Sequence, residues 1–162
     1  MKIFLSSFLS FMFVFLSQSA NSEAGGIALK LNPPDGVLES SAEVRLYVSV
    51  KNVTDHEVRI VRSPGRIPKQ ELRYHVDIRD SDGRRPPETS YFKDLNSPST
   101  FVQTSNIGHY LKPGECVTDA IVLTKMYVLK SPGKYIVRVS RSIPDLDGVK
   151  VKSNEITITI VK

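Results

Sequence analysis

The sequence predicts an all-β fold, an antiparallel β-sandwich of seven or eight short strands. Apolar and polar residues alternate in short runs, and this pattern places every second side chain on the same face of a strand. Glycine, proline, aspartate and asparagine residues separate the runs, as expected for tight turns. No segment after residue 25 has convincing helical periodicity. Strands of this kind bury one face of a sheet against a second layer.

Seven runs carry the alternation clearly, and an eighth is expected in the segment 88–110. The clear runs are Ile27–Leu31, Val44–Val50, Val58–Ile60, Leu72–Arg79, Val117–Leu123, Tyr135–Arg141 and Asn154–Lys162. We place the eighth strand at Thr100–Thr104, because a structureless loop as long as this segment is unusual in a small domain. The spacing of the runs suits a sandwich better than a closed barrel.

Two aspartate-glycine segments indicate hairpin turns, Ser81–Gly83 and Asp145–Gly148. Both positions of an Asp-Gly pair tolerate positive φ, which tight hairpins require. A calcium loop is the alternative interpretation. Such a loop needs an oxygen ligand where this chain has Ile78 and Ile143, so the turn is favoured.

Tyr135 lies near the start of the predicted sixth strand, directly after the turn Pro132-Gly133 and Lys134. In immunoglobulin-like domains, a tyrosine at this position hydrogen-bonds the backbone a few residues upstream and fixes a corner of the fold. We therefore expect an immunoglobulin-like sandwich with Tyr135 as its structural corner. The alternative is an ordinary core tyrosine, and Val137 stands where antibody domains carry a cysteine.

The C-terminal third of the chain resembles exported bacterial immunoglobulin-like modules of uncharacterised role. The resemblance rests on Pro113-Gly114-Glu115, on Tyr127–Val137 and on Val151–Ile158. The chain is more distantly similar to the Bacillus intracellular proteinase inhibitor family. Both resemblances imply a β-sandwich and no particular function, because the matched residues are turn and core residues. The chain departs from the inhibitor family by carrying an export signal, and no inhibitory loop can be carried over.

The first twenty residues have the layout of a secretory signal peptide. Lys2 is the positive start, Ile3–Leu16 is the apolar run, and small residues at Ser17–Ala20 suit cleavage. Cleavage after Ala20 and cleavage after Ala24 both fit. We therefore predict a signal peptide over 1–20 and a single domain over 25–162. We expect export to the periplasm or the exterior, with no stable membrane anchor after cleavage.

The composition of the exported part limits how it is stabilised. The only cysteine, Cys116, cannot form an internal disulfide, and the chain has no tryptophan. Because Cys116 follows a Pro-Gly turn and precedes Val117, we expect a small buried hydrophobe, with a reactive or intermolecular thiol as the alternative. The domain would then be stabilised by apolar burial alone.

The sequence contains no recognisable catalytic or cofactor motif. It has no Gly-x-Ser-x-Gly, no phosphate loop and no His-Glu-x-x-His, and its carboxylates lie scattered on turns. His75 and Asp77 share a strand face, but lone histidines are usually solvated, so we expect no metal site. Loss of Lys2 lowers the net charge from +5 to +4, which is mild for a nucleic-acid binder. We predict a non-enzymatic protein without cofactor or nucleic-acid partner.

Half of the Phe and Tyr residues that follow the signal peptide lie in the segment 91–110. They are Tyr91, Phe92, Phe101 and Tyr110. Aromatic side chains are favoured at interfaces, so we expect these residues to form a contact surface for a protein or glycan. The alternative is a satellite cluster packed onto the sandwich.

The basic stretch Arg59–Arg73 is a second candidate surface. It would either attract polyanions or be a solvated loop between strands.

The leading hypothesis is an exported, monomeric, non-enzymatic binding or accessory module of unknown ligand. The first alternative is an inhibitor that presents residues 91–110 to an extracytoplasmic protease. The second alternative is a structural or adhesive module whose exposed edge strands pair between chains.

Asn52-Val53-Thr54 fits a glycosylation sequon, and we interpret it as a turn.

Overall fold

A computed structural model describes residues 23–24, 26–34, 36–62, 74–97, 107–143 and 148–162. Within these residues the chain forms eleven strands and two short helices, and the prediction of an all-β fold is confirmed. The strands are β1 (Glu23–Ala24), β2 (Ile27–Asn32), β3 (Leu38–Glu39), β4 (Arg45–Asn52), β5 (Val58–Arg62), β6 (His75–Asp80), β7 (Ile107–Leu111), β8 (Cys116–Val122), β9 (Gly133–Ile143), β10 (Val149–Lys152) and β11 (Ile156–Val161). The helices are α1 (Ser90–Leu95) and α2 (Leu123–Met126).

The strands form three sheets. The first sheet has the order β1-β2-β4-β8, and every pair in it is antiparallel. The second sheet is built around the long strand β9, which pairs antiparallel with β6, β10 and β11, while the short β3 runs parallel to β11. The third sheet is the antiparallel pair of β5 and β7, called here the β5–β7 ribbon.

Alternation explains how the two larger sheets share one core. In β4, Leu46, Val48 and Val50 are fully buried, whereas Tyr47 and Lys51 between them are exposed. The same alternation runs along β2, β6, β9 and β11. The buried side chains of both larger sheets belong to one hydrophobic cluster. Each of the seven predicted runs overlaps a strand, and residues 72–73 of the fourth run lie outside the described residues.

The segment after residue 87 differs from the prediction. Thr100–Thr104 lies outside the described residues, but the structure has α1 over Ser90–Leu95. The N-cap of this helix is Thr89, whose hydroxyl oxygen accepts a hydrogen bond from the backbone N–H of Phe92 at 3.1 Å. A helix of six residues is too short to show a period in the sequence, which is why the pattern did not predict it.

The predicted turn at Ser81–Gly83 is present, and Asp80 organises it. The Asp80 carboxylate accepts hydrogen bonds from the backbone N–H groups of Asp82 at 2.9 Å and Arg84 at 2.8 Å. Gly83 has a φ of 78°, a conformation that favours glycine. No return strand follows in residues 84–87, and the chain next pairs through a single bridge between Glu88 and Tyr127. The segment 144–147 of the second predicted turn lies outside the described residues.

The structure corrects the expectation that Cys116 is buried, because its side chain is exposed. The turn at Pro113-Gly114 sets a register in which Cys116 pairs with Lys51 on the outer face of the first sheet. The neighbouring residue Val117 therefore turns inward and packs against the core. The period-2 alternation of β8 thus exposes the cysteine and buries the residues beside it.

The expectation that the domain is stabilised by apolar burial did not include a polar network inside the core. Asp119 of β8 and Arg141 of β9 lie inside the core, with side chains 1% and 3% exposed. Their closest atoms, Oδ2 and Nη1, are 3.6 Å apart. The Tyr74 hydroxyl donates a hydrogen bond to Asp119 at 2.8 Å and accepts one from Arg141 at 3.2 Å. This Tyr74–Asp119–Arg141 network connects the two larger sheets. Because the Tyr74 hydroxyl is buried in it, the pKa of this tyrosine is raised.

Candidate binding cleft

A cleft of about 250 Å³ lies between α1 and the start of β6. Its floor is apolar and aromatic, formed by the buried side chains of Val76, Phe92 and Tyr127. The rings of Phe92 and Tyr127 have centroids 5.7 Å apart and an interplanar angle of 53°. Such a tilted arrangement is a favourable geometry for two aromatic side chains. The floor is thus a packed aromatic surface.

Thr89 fixes α1 against α2 and so positions the two aromatic residues. Its backbone N–H donates to the carbonyl of Met126 at 3.0 Å, and its hydroxyl donates to the carbonyl of Lys125. The N–H of Val128 donates to the carbonyl of Pro87 at 2.8 Å. These bonds place Phe92, which α1 carries, beside Tyr127, which follows α2 directly.

Arg85 forms a charged part of the rim, and its guanidinium is held in place. Nη2 donates to the carbonyl oxygen of Val76 and to the hydroxyl of Tyr127, both at 3.0 Å. The guanidinium carbon lies 5.5 Å from the centroid of the Tyr127 ring, within cation–π range. The Tyr127 hydroxyl also donates to Val76 at 3.2 Å, and burial raises the pKa of this tyrosine.

Three further polar residues complete the rim, namely the exposed His75 and Asn96 and the half-buried Glu88. His75 belongs to β6, Asn96 is the C-cap of α1, and Glu88 forms the bridge to Tyr127, so the three residues reach the cleft from separate elements. Tyr74 also lines the cleft, while its hydroxyl joins the buried network with Asp119 and Arg141. The cleft thus combines an aromatic floor with polar groups of both charge signs.

The four aromatic residues predicted as a contact surface do not lie together on an exposed patch in the described residues. Phe92 is 8% exposed and forms part of the cleft floor, which corrects the expectation that it is a surface residue. Tyr91 is half-buried on α1. Tyr110 is 59% exposed and lies on the β5–β7 ribbon, opposite Arg59. Phe101 lies outside the described residues.

Tyr135, the predicted corner, is buried in β9. Its hydroxyl donates a hydrogen bond to the carbonyl oxygen of Ser131 at 2.8 Å, four residues upstream. This is the type of bond that a tyrosine corner requires.

The metal-site candidates His75 and Asp77 and the start of the basic stretch lie within the described residues. Asp77 forms an ion pair with Arg79 at 3.3 Å, and the described residues contain no group of three or more potential metal-ligating side chains around His75 or elsewhere. In the basic stretch, Arg59 packs closely over Gly108 on the β5–β7 ribbon. The remaining part of that stretch, residues 63–73, lies outside the described residues.

Sequence reasoning missed the rim residues and the buried network, for different reasons. Arg85 and Glu88 flank two prolines and lie in no alternating run, so no sequence pattern indicates their role. A signal for the network was present, because Asp119 alternates in phase with Val117 and Ile121. Arg141 likewise alternates in phase with Val137 and Val139. A charged residue at an inward position of a strand indicates a buried partner.

Within the part of the chain that the structure describes, no helix is long and apolar enough to cross a membrane. The chain matches no protein-family model and no curated protein.

Proposed function

We propose that the chain is an exported, monomeric, non-enzymatic binding module, and that its ligand occupies the cleft between α1 and β6. We further propose that the two larger sheets form an immunoglobulin-like β-sandwich. Export and the absence of catalysis rest on the signal-like first twenty residues and on the lack of catalytic motifs in the sequence.

Two observations support the sandwich. Inward side chains from both larger sheets join one hydrophobic cluster, as two layers around a single core would. In addition, Tyr135 makes the upstream backbone hydrogen bond typical of a tyrosine corner.

The observation that carries the binding function is the combination of an aromatic floor with fixed polar groups at the rim. Ligand sites in proteins are concave, mainly apolar and supplied with a few placed polar groups. The cleft has this composition, since Phe92 and Tyr127 form its floor and Arg85 is anchored by two hydrogen bonds. An anchored side chain loses little further conformational freedom when it binds a ligand.

A screen of small aromatic and aliphatic compounds by two-dimensional NMR of the ¹⁵N-labelled chain tests this proposal. We expect the bound compounds to shift the backbone signals of His75, Val76 and Phe92. The variant Asn96→Trp, which places a large side chain at the rim, should abolish these shifts. The matched control Lys93→Trp changes an exposed residue of the same helix that does not line the cleft.

Compounds that bind Lys93→Trp but not Asn96→Trp would support the proposal. Binding that maps to another surface, such as the β5–β7 ribbon, would overturn it, and so would a screen without any compound that shifts the cleft signals.

A further inference from the structure

We propose that the ligand of this cleft is a small zwitterion with an apolar side chain, of the size of a free amino acid. Its carboxylate would pair with Arg85, its ammonium group with Glu88, and its side chain would cover the aromatic floor. This inference rests on the proposed function, because it concerns the same cleft.

Arg85 supplies a prepared site for a carboxylate. An arginine side chain has five N–H donors, and here Nη2 donates both of its hydrogen bonds within the protein, to Val76 and Tyr127. Among the described residues, no group accepts a hydrogen bond from Nε or Nη1. The side chain is therefore fixed by two bonds and the Tyr127 ring, while its Nε–H and Nη1–H donors remain available for single hydrogen bonds. A carboxylate can accept a charge-assisted hydrogen bond from either of these donors.

Glu88 supplies the complementary charge. It is half-buried and lines the same cleft, and its carboxylate has no ion pair or side-chain hydrogen bond within the described part of the chain. Within the described residues, Arg85 and Glu88 form no ion pair with each other, and Arg85 bonds Val76 and Tyr127 instead. Two opposite charges are thus held apart above one apolar floor.

A ligand with only one charge fits this arrangement poorly. An anion attracted by Arg85 would be repelled by Glu88, and a cation attracted by Glu88 would be repelled by Arg85. A neutral apolar ligand would cover the half-buried Glu88 carboxylate without offering it a partner. A zwitterion satisfies both charges at once.

The dimensions of the cleft point to a small ligand. Its volume of about 250 Å³ lies below the range of roughly 300–1,000 Å³ common for drug-sized ligands. Phe92, at 8% exposed, is the most accessible residue of the floor, and Tyr127 and Val76 are more deeply buried, so aromatic and aliphatic amino acids are the expected class.

Phenylalanine and three of its derivatives test the inference on the unmodified chain, with affinities measured by NMR titration. Phenylalanine carries both charges, N-acetylphenylalanine only the negative one, phenylalaninamide only the positive one, and N-acetylphenylalaninamide neither. We expect phenylalanine to bind most tightly and each single-charge derivative to bind about tenfold more weakly or worse, because a charge-assisted hydrogen bond is lost.

Variants assign each charge to its residue. Arg85→Gln should remove the preference for phenylalanine over phenylalaninamide, and Glu88→Gln should remove the preference for phenylalanine over N-acetylphenylalanine. Arg84→Gln is the matched control, because Arg84 is exposed and pairs with Asp82 at the turn, so all four affinities should stay unchanged.

The outcomes separate this inference from the proposed function. If all four compounds shift the cleft signals with equal affinity, the zwitterion is wrong and the binding cleft stands. If none of the four compounds binds but another compound of the screen does, the zwitterion is again wrong and the binding cleft again stands. If no compound of either set reaches the cleft, both proposals fail.

Discussion

Asn52 shows how much of the architecture one side chain can hold together. It is fully buried where β4 ends and the chain continues into the β5–β7 ribbon. Its Nδ2 donates to the carbonyls of His56 at 2.7 Å and Leu111 at 2.8 Å, and its Oδ1 accepts from the backbone and hydroxyl of Thr54. The sequon asparagine is thus the last residue of β4, its side chain holds the turn that follows, and it joins the ribbon to the first sheet.

Tyr135→Phe tests the corner at the scale of one hydroxyl group. The substitution removes the hydrogen bond to Ser131 and leaves the ring in the core, so the free energy of unfolding should fall by about 0.5–1.5 kcal/mol. Urea denaturation of both proteins measures the difference. Tyr110→Phe is the control, because Tyr110 is 59% exposed and its loss of a hydroxyl should change stability little. A loss below about 0.5 kcal/mol for Tyr135→Phe would make it an ordinary core tyrosine.

At the scale of elements, the short helix α1 depends on its neighbours more than on its own sequence. A six-residue helix is marginal in isolation, so capping and packing must hold it. Thr89 provides the N-cap bond to Phe92 and also two bonds to the α2 segment. Phe92, the buried residue of α1, then packs on Tyr127. The cleft floor therefore exists only when both helices are docked.

Thr89→Ala should loosen α1 and with it the cleft. The loss of a side-chain N-cap destabilises by about 1 kcal/mol, and Thr89→Ser should recover most of that because serine is an equally good cap. Thermal unfolding gives the stability change, and hydrogen exchange of the Phe92 and Lys93 amides reports on the helix itself. Unchanged exchange in Thr89→Ala would show that the tertiary contacts hold α1 without its cap.

At the scale of the whole molecule, the Tyr74–Asp119–Arg141 network joins the two larger sheets in a chain that has no internal disulfide. Asp119 belongs to the first sheet, and Arg141 belongs to the second. The Arg141 guanidinium carbon also lies 5.3 Å from the Tyr74 ring centroid. A buried ion pair carries a large desolvation penalty, so its net contribution to stability is small or negative. We expect it to penalise arrangements of the sheets in which the two charges are separated.

Arg141→Met tests the contribution of the network, because it removes the cation that lies 3.6 Å from the buried Asp119 carboxylate. We expect a loss of about 3–5 kcal/mol in the free energy of unfolding. The triple variant Tyr74→Phe, Asp119→Leu, Arg141→Met should recover most of that loss, since an apolar set of similar volume carries no desolvation penalty. Denaturant unfolding of the single and triple variants measures both effects. A triple variant as unstable as Arg141→Met would show that the network stabilises the fold outright.

The local pattern of the chain was enough to predict most strands and the Asp80 turn. Leu46, Val48 and Val50 alternate with exposed residues, and this pattern fixes a strand and its buried face whatever lies opposite. The helices α1 and α2 and the short strands β1, β3, β7 and β10 were not predicted, because two to six residues carry too little periodicity.

The sequence by itself determined seven of the strands, most of their inward faces and the Asp80 turn, because these follow from the period of the backbone and from residues such as Gly83. Only the tertiary structure decided which residues meet across the fold. Arg141 contacts a tyrosine 67 positions earlier, and Arg85 contacts a tyrosine 42 positions later. Such contacts depend on sheet register and on the docking of α1, which no local pattern encodes. The exposure of Cys116, the buried ion pair and the cleft all arise at that level.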